Sequence, residues 1–335
     1  MSRIPIFICA LSIVLIQSSC STDFNITGEW NEVGIVYGLL DQADSVQYIK
    51  INKAFLDENT SALDIAQIAD SIYYQDSLNV TVEEYDVNGN IVNIYTLPVI
   101  DGNSEIGFKD PGVFVNSPNY LYKLATPLNE NNHYILNIKN INSGKVITGE
   151  TDIVNDFLIL GITNSSPMNI LPNIEYGFAW RSAKNSKSNA LTLNFYYNEI
   201  IASDTTLKKI EWVLFSQLKS NGTSGGELLQ FSIQGEDFYR LIANNITPNL
   251  DATRTFSSIE LEYYAGSENL DLFIDVEENQ SGLTAGQIQP NYTNLSGDAL
   301  GIFSSRYHKS IIGLTLTPQA FDSLSNSSIT SNLGF

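Results

Sequence analysis

Carboxylates are the most abundant side chains in this sequence that can do acid–base chemistry, with 37 Asp and Glu residues against 17 Lys and Arg. A glycoside hydrolase needs two of them, held ~5–10 Å apart across the scissile bond. Neighbouring strand residues point to opposite faces, so adjacent acids should not converge, and acids four apart share a solvated face. No catalytic residue is predicted, and hydrolysis is only a remote alternative; the acids closest in sequence are Glu83–Glu84, Asp271 with Asp275, and Glu277–Glu278.

Histidine and metal chemistry have equally little support. The two histidines, His133 and His308, fall in different predicted parts of the chain, and each is expected at the surface or capping an element. Asp86-Val87-Asn88-Gly89-Asn90 resembles the opening of a calcium loop, but Ile91 replaces the sharp-turn glycine and Leu97 replaces the closing bidentate glutamate. A hairpin turn explains this segment better. We therefore predict no metal site and no cofactor.

Tyrosine pairs are the feature with the most binding potential. Exposed tyrosine and tryptophan rings stack on sugars and act as hot spots in protein interfaces. In a β-sandwich, alternate tyrosines more commonly pack in the core or against a neighbouring strand. Both interpretations stay open for Tyr73–Tyr74, Tyr120 with Tyr122, Tyr196–Tyr197, Tyr263–Tyr264 and Trp180.

The N-terminus predicts export. Arg3 precedes an apolar run of about thirteen residues, roughly 20 Å as a helix and too short for the ~30 Å bilayer core, so residues 1–19 are expected to form a signal peptide. Ser18-Ser19-Cys20 resembles the box of bacterial lipoproteins, in which the cysteine is lipidated and becomes the new N-terminus, although Gln17 stands where a leucine is usual. Cys20 is therefore predicted to be a multi-chain lipid anchor, followed by a tether over residues 20–27.

The four residues after the cysteine bear on which side of the membrane the protein faces. Ser21, Thr22, Asp23 and Phe24 are similar to a short acidic signal that sends some lipoproteins to the cell surface. More than one acid usually follows the cysteine, whereas Asp23 stands alone here until Glu29. We expect a lipid-anchored outer-membrane protein, with the cell surface or the periplasmic face undecided.

The net charge excludes one class of partner and disfavours another. A formal net charge of −20 provides no basic field for phosphates, so nucleic acid is excluded as a partner. The same charge disfavours electrostatic binding to anionic lipid headgroups, which leaves membrane attachment to the acyl chains. An apolar content of 43% is sufficient for real cores and argues against global disorder.

Alternating hydrophobicity predicts strands along most of the chain. Asn88-Gly89 and Asn142-Ser143-Gly144 each separate two strand patterns and predict hairpin turns. LDLFIDV, residues 270–276, alternates and is predicted as a further strand. Helices are predicted at residues 61–71, 235–246 and 317–326, the last with Thr317 as N-cap and Pro318 at the first position.

These elements predict a mostly β protein in two parts. Residues 28–156 are expected to form an immunoglobulin/fibronectin-like β-sandwich, because six to eight short strands end in a Y-x-L-x-I pattern and a final hairpin. Residues 157–173 contain a Ser-Ser-Pro and a second proline and are predicted as a linker or crossover. Residues 174–335 are expected to be a second β-rich domain with a few short helices.

Three stretches carry a family resemblance: VYGLLDQADSVQYIKINKAFL, FKDPGVFVNSPNYLYKL and YTNLSGDALGIFSSRY. They resemble exported lipoproteins of Bacteroidota that carry a domain of unknown function. The resemblance implies an outer-membrane lipoprotein, often encoded beside a TonB-dependent receptor. It defines no functional residues. The expected function is non-enzymatic, as a binding or accessory component for a receptor or envelope assembly, with glycan binding at the cell surface as the alternative.

Overall fold

The computed structural model describes residues 33–55, 60–280 and 292–335, apart from the side chains of 278–280. Cys20 and the residues Ser21 to Phe24 lie outside these ranges, as do the predicted signal peptide and tether. The described chain is mostly β, with three sheets and a few short helices, which confirms the predicted class. None of the helices in these ranges is both long and apolar enough to cross a bilayer.

The largest of the three sheets has eight strands. Its strands are β1 (Gly34–Asp41), β2 (Gln47–Lys53), β5 (Val99–Asp101), β6 (Tyr120–Leu124), β11 (Ser188–Ile201), β12 (Asp204–Lys219), β14 (Ala252–Gly266) and β16 (Ala299–Leu314). They lie in the order β12-β11-β14-β16-β1-β2-β6-β5. All neighbours are antiparallel except β1 and β16, which are parallel. The sheet therefore joins the first described strand to the last one.

Two smaller sheets pack beside it in a sandwich-like arrangement. Their strands are β3 (Leu78–Tyr85), β4 (Ile91–Thr96), β7 (His133–Asn140), β8 (Val146–Asp152), β9 (Ile159–Leu160), β10 (Glu175–Arg181), β13 (Leu228–Gln234) and β15 (Leu295–Ser296). The five-stranded sheet has the order β15-β8-β7-β3-β4, and the three-stranded sheet has the order β13-β10-β9.

Two hydrophobic cores follow from this packing. One includes Val36 and Ile49 of the large sheet together with Val82 and Leu136 of the five-stranded sheet. The other is built around Trp180 and gathers residues from the three-stranded sheet, the long strands and two helices. Inward residues alternate along each strand, so the period-two pattern of the sequence is what fills both cores.

The predicted linker is packed. Phe157, Ile162, Met168 and Ile170 are buried in the core around Trp180. The large sheet also contains strands from both sides of residues 157–173. The division into two domains stays a prediction, but the two parts share one sheet.

Five of the α-helices in the described ranges lie between strands, and the sixth follows β16. They are α1 (Ala62–Ile65), α2 (Ala69–Ile72), α3 (Gly102–Glu105), α4 (Gly235–Asn245), α5 (Glu268–Gln280) and α6 (Pro318–Asn326). Helices α4 and α6 confirm two predictions, and the Thr317 side chain accepts from the Ala320 amide as the expected N-cap. The predicted helix at 61–71 is two single turns.

The strand predicted at residues 270–276 is wrong, because this segment belongs to α5. The Ser267 hydroxyl accepts from the Leu270 amide and caps the helix. Leu270 and Phe273 are three residues apart, a helical spacing, and Phe273 packs edge-on against Tyr37 of β1. The signal that indicates a helix here is the N-cap serine, Ser267, followed by Glu268, whereas the alternation of apolar residues over 270–276 does not reflect a strand.

Candidate functional site

Two segments with little regular secondary structure lie between strands of the eight-stranded sheet and strands of the five-stranded sheet. Residues 60–77 connect β2 to β3, and residues 99–120 include β5 and lead into β6. The Val115 amide donates to the Ala66 carbonyl at 2.9 Å, and the Gln67 side chain donates to the Val113 carbonyl. These two segments therefore form one unit, which we call the loop layer. Loops held by a rigid scaffold are where binding residues concentrate.

The loop layer contains a groove. Two cavities of about 460 and 430 Å³ share Asp70, Tyr73, Gln75 and Asp76 in their walls. The first extends to Pro118 and the ring of Tyr120, and the second to Lys53 and Asn142. Each cavity is large enough to take a small organic ligand or part of a chain.

Polar groups concentrate at the middle of the groove. Asp70, Gln75 and Asp76 are exposed, and the Gln75 amide donates to the Asp70 carboxylate at 2.6 Å. Gln75 has a φ of 51°, in the left-handed region that non-glycine residues rarely adopt. Such backbone strain clusters at binding sites, where the surroundings hold the residue in place. Carboxylates and an amide at this position can bind hydroxyl or amine donors.

A half-buried lysine contacts the aromatic wall of the groove. The Lys50 ammonium donates to the Asn119 side-chain oxygen at 2.7 Å and to the Tyr120 carbonyl at 3.1 Å, and it lies 4.7 Å from the centre of the Tyr73 ring. Burial lowers the pKa of Lys50 to about 8, and the positive charge of Lys109 acts in the same direction. Tyr73 and Tyr120 meet edge-on at 5.1 Å. The Lys50 ammonium therefore contacts both tyrosines of this wall and helps to hold them in place.

Residues 106–114 of the loop layer carry a set of exposed apolar side chains, which we call the rim. Ile106, Phe108, Val113 and Phe114 are exposed, and Phe108 retains 87% of its accessible surface. The Lys109 ammonium lies 5.8 Å from the centre of the Phe114 ring, within reach of a cation–π contact. Large exposed apolar side chains concentrated on one segment favour an interaction surface.

Most of the tyrosines noted in the sequence are buried. Tyr263 and Trp180 are each 1% exposed, and their rings meet at 5.9 Å. At the groove wall, Tyr73 is 2% exposed, whereas Tyr120 is half-buried. Only part of the aromatic set is therefore available to a ligand; the other buried members are Tyr74, Tyr122 and Tyr197.

The adjacent acids Glu83 and Glu84 point to opposite faces of β3, as predicted. Glu84 is 5% exposed, and its two oxygens accept four hydrogen bonds, from Asn93, Tyr95, Asn132 and Tyr134. Burial acts to raise the pKa of Glu84, but the four side-chain hydrogen bonds outweigh it and the pKa is lowered. A carboxylate whose lone pairs are all engaged by the protein is a structural group.

Asp271 and Asp275 share a face, as predicted, but it is the face of helix α5. Lys219 pairs with Asp271 at 3.1 Å and with Asp275 at 2.6 Å, and the Gln217 amide donates to both carboxylates. These contacts attach α5 to β12. The neighbouring Glu277 is exposed, and the Glu278 side chain lies outside the described part.

The two histidines occupy different sheets. His133 starts β7, and its ring bonds the Asp152 carboxylate at 2.9 Å, which raises the pKa of His133. His308 stacks on Tyr264 at 4.6 Å. Within the described ranges, no group of three or more His, Cys, Asp or Glu side chains is arranged to hold a metal ion.

The calcium-like segment is a hairpin turn. The Asp86 carboxylate accepts from the backbone amides of Asn88 and Asn90 at 2.9 and 2.8 Å, and Gly89 adopts a φ of 79°. Because these hydrogen bonds hold Asp86, they account for the spacing of the oxygen-bearing residues without a cation.

Sequence reasoning missed two features. Asp70 and Asp76 flank Tyr73–Tyr74 and form the groove, which their position beside an aromatic pair could have suggested. Gly222-Thr223-Ser224-Gly225-Gly226 has the G-x-S-x-G spacing of a hydrolase nucleophile turn. That turn normally leads from a strand into a helix, whereas this one connects β12 to strand β13. Residues 222–226 are therefore a loop between two strands and not a nucleophile turn.

Fold and site together define a mostly β protein whose loop layer forms a polar groove with an apolar rim. No protein-family model matches the chain, and no curated protein matches it. A cytokine receptor complex is similar over 70% of this chain and 85% of its own, with a TM-score of 0.19 and 8% identity. The native conformation of E. coli alpha-2-macroglobulin is similar over 73% of this chain and 14% of its own, with a TM-score of 0.20 and 8% identity. Likenesses at this level carry no argument about function.

Proposed function

We propose that the protein is a non-enzymatic lipoprotein of the outer membrane that binds a partner protein through the apolar rim of its loop layer. The observation that carries the proposal is the exposure of Ile106, Phe108, Val113 and Phe114 on one loop. Aromatic and aliphatic anchors surrounded by polar groups are the usual centre of a protein interface. The family resemblance favours a TonB-dependent receptor or an envelope assembly as the partner.

The N-terminal residues support the location. A short apolar run followed by Ser18-Ser19-Cys20 favours lipidation at Cys20. A thioether-linked diacylglycerol and an amide-linked chain would make attachment effectively permanent. Ser21, Thr22, Asp23 and Phe24 would form the surface-export signal if the protein faces outward.

The rim is tested by co-expressing the protein with a TonB-dependent outer-membrane receptor from the same genome and purifying it from solubilised membranes. We expect the receptor to be recovered with the wild-type protein. The amount recovered should fall at least about tenfold with the double variant Phe108→Ser/Phe114→Ser, because the anchors of an interface each contribute ~2 kcal/mol or more. Leu250→Ser is the matched control, since Leu250 is fully exposed in the turn before β14.

Two further results decide this test. The Cys20→Ser variant should leave the membrane fraction, because it lacks the attachment point. Recovery of no receptor with the wild-type protein, or equal recovery with the rim variant, would contradict the proposal.

Glycan binding is the second candidate, and the groove favours it. Tyr120 offers a half-buried ring at one wall, and Asp70, Gln75 and Asp76 offer acceptors and a donor for sugar hydroxyls. A polar floor beside an aromatic ring is the common arrangement in carbohydrate sites. Two acids in one groove also meet the minimum for a glycosidase, so hydrolysis remains the remote alternative.

A glycan array tests this candidate. We expect retention of a glycan to fall at least about tenfold in Tyr120→Ala, because stacking on a tyrosine ring contributes ~1 kcal/mol or more and its removal also opens the wall. Tyr196→Ala is the matched control, since Tyr196 is half-buried on the large sheet and bonds Glu260. An array that retains no glycan would remove this candidate. Release of sugar by the wild-type protein, lost in Asp70→Asn, would favour hydrolysis instead.

A further inference from the structure

Strand β12 is one edge of the large sheet. It pairs with β11 along one side, and no strand of the described chain pairs with its other side. The strand is 16 residues long. A long, unpaired edge is a ready template for another strand, and soluble proteins normally shorten, bend or cover such edges.

The outward face of β12 carries a short ordered pattern. Leu207 and Val213 are 60% and 52% exposed. Between them, Lys209 and Glu211 form an ion pair at 2.9 Å, with both side chains about half exposed. The pairing with β11 is regular from Asp204 to Val213, so these four residues share one face. The order along the face is apolar, positive, negative, apolar.

We propose that this edge pairs with a second copy of the same chain, antiparallel, about a two-fold axis at Ile210. In that register Lys209 lies opposite the partner's Glu211, and Leu207 lies opposite the partner's Val213. The pattern is its own complement when reversed, so each contact occurs twice. Isologous contacts of this kind close a dimer, and the two eight-stranded sheets become one continuous sheet.

Charge selects the register. Moving the axis to Lys209 places two lysines directly opposite one another, and moving it to Glu211 places two glutamates together. Like charges opposite each other across antiparallel strands are destabilising. At Ile210 every charge on the outward face has an opposite partner. On the other face, Lys208 lies opposite the partner's Trp212, a pairing that favours a cation–π contact.

Charge reversal tests both the dimer and its register. Sedimentation of the full chain purified in detergent should give a dimer for the wild type. Lys209→Glu and Glu211→Lys should each weaken it by about tenfold or more, because each turns two attractive cross-strand pairs into repulsive ones. The two variants mixed together should dimerise again, since both glutamates of one variant would then face the two lysines of the other. The double variant, with Lys209→Glu and Glu211→Lys in one chain, should dimerise as well.

The mixture also controls for folding, because misfolded chains would not regain the dimer. Lys139→Glu, an exposed charge reversal on β7, should leave the dimer unchanged. A monomeric wild type at all concentrations would overturn the proposal. Single variants that dimerise like the wild type, or a mixture that stays monomeric, would overturn the register.

Discussion

Replacing Glu84 with alanine is expected to lower the free energy of unfolding by about 3 kcal/mol or more. The Glu84 carboxylate accepts from Asn132 at 2.7 Å and Tyr134 at 3.1 Å through one oxygen, and from Asn93 at 2.9 Å and Tyr95 at 2.7 Å through the other. Alanine would leave four donors without their acceptor, and the two on Asn132 and Tyr134 are buried. Unmet donors in such a place lose their hydration without compensation. Urea unfolding at neutral pH measures the effect.

Glu83→Ala is the matched control. Glu83 is the adjacent residue of the same strand but points to the opposite face, where its carboxylate accepts one hydrogen bond, from Tyr85 at 2.6 Å, within the described part of the chain. We expect this variant to change the free energy of unfolding by about 0.5 kcal/mol or less. Equal losses from the two substitutions would contradict the structural role of Glu84.

The pH dependence of the Glu84 effect follows from the direction of its pKa shift. The four hydrogen bonds hold the folded-state pKa of Glu84 below its ordinary value, despite burial. A carboxyl with a lowered pKa in the folded protein contributes stability above its unfolded-state pKa and loses it as the pH falls through the folded-state value. The wild type should therefore lose stability on acidification more steeply than Glu84→Ala. Parallel curves for the two proteins would contradict this assignment.

Local elements of this fold were predictable from sequence because their signals are local. Asn88-Gly89 and the Thr317-Pro318 start each depend on a backbone preference of one or two residues. The alternation that identifies strands also determines which tyrosines are buried, as Tyr263 illustrates. It failed at residues 270–276, where a seven-residue apolar pattern fits a helix as well as a strand.

The pairing of strands far apart in sequence was not predictable. β1 and β16 are separated by more than two hundred residues, and nothing in either sequence identifies the other as its parallel neighbour. The groove depends on the same long-range order, because Asp70 and Tyr120 are brought together only when β2 and β6 pair. A sequence pattern can nominate Tyr120, or the acids beside Tyr73–Tyr74, as binding residues, but only the folded structure shows that they line the same cavity.

Gly301→Ala is expected to be at least as damaging as the loss of Glu84, because it acts on the pairing of β1 with β16. Gly301 lies opposite Val36 and has a φ of 103°, which residues with a side chain rarely adopt. A Cβ at this position would lie 2.1 Å from the Val36 carbonyl oxygen. That distance is too short for two non-bonded atoms, so β1 and β16 would have to separate locally. We expect a loss of about 3 kcal/mol or more in the free energy of unfolding, or failure to fold.

Gly177→Ala separates this clash from the general effect of adding a methyl group. Gly177 also lies in a strand, β10, but a Cβ there meets no atom within 4 Å. Both substitutions restrict the unfolded chain equally, a contribution of about 0.4–1 kcal/mol in favour of the variant. Gly177→Ala should therefore be neutral or slightly stabilising. In Gly301→Ala, amide hydrogen exchange should accelerate first in β1 and β16, because those strands must move apart. If the two variants unfold at the same denaturant concentration, the close approach of Gly301 to Val36 is wrong, and with it the parallel pairing that joins the first and last described strands.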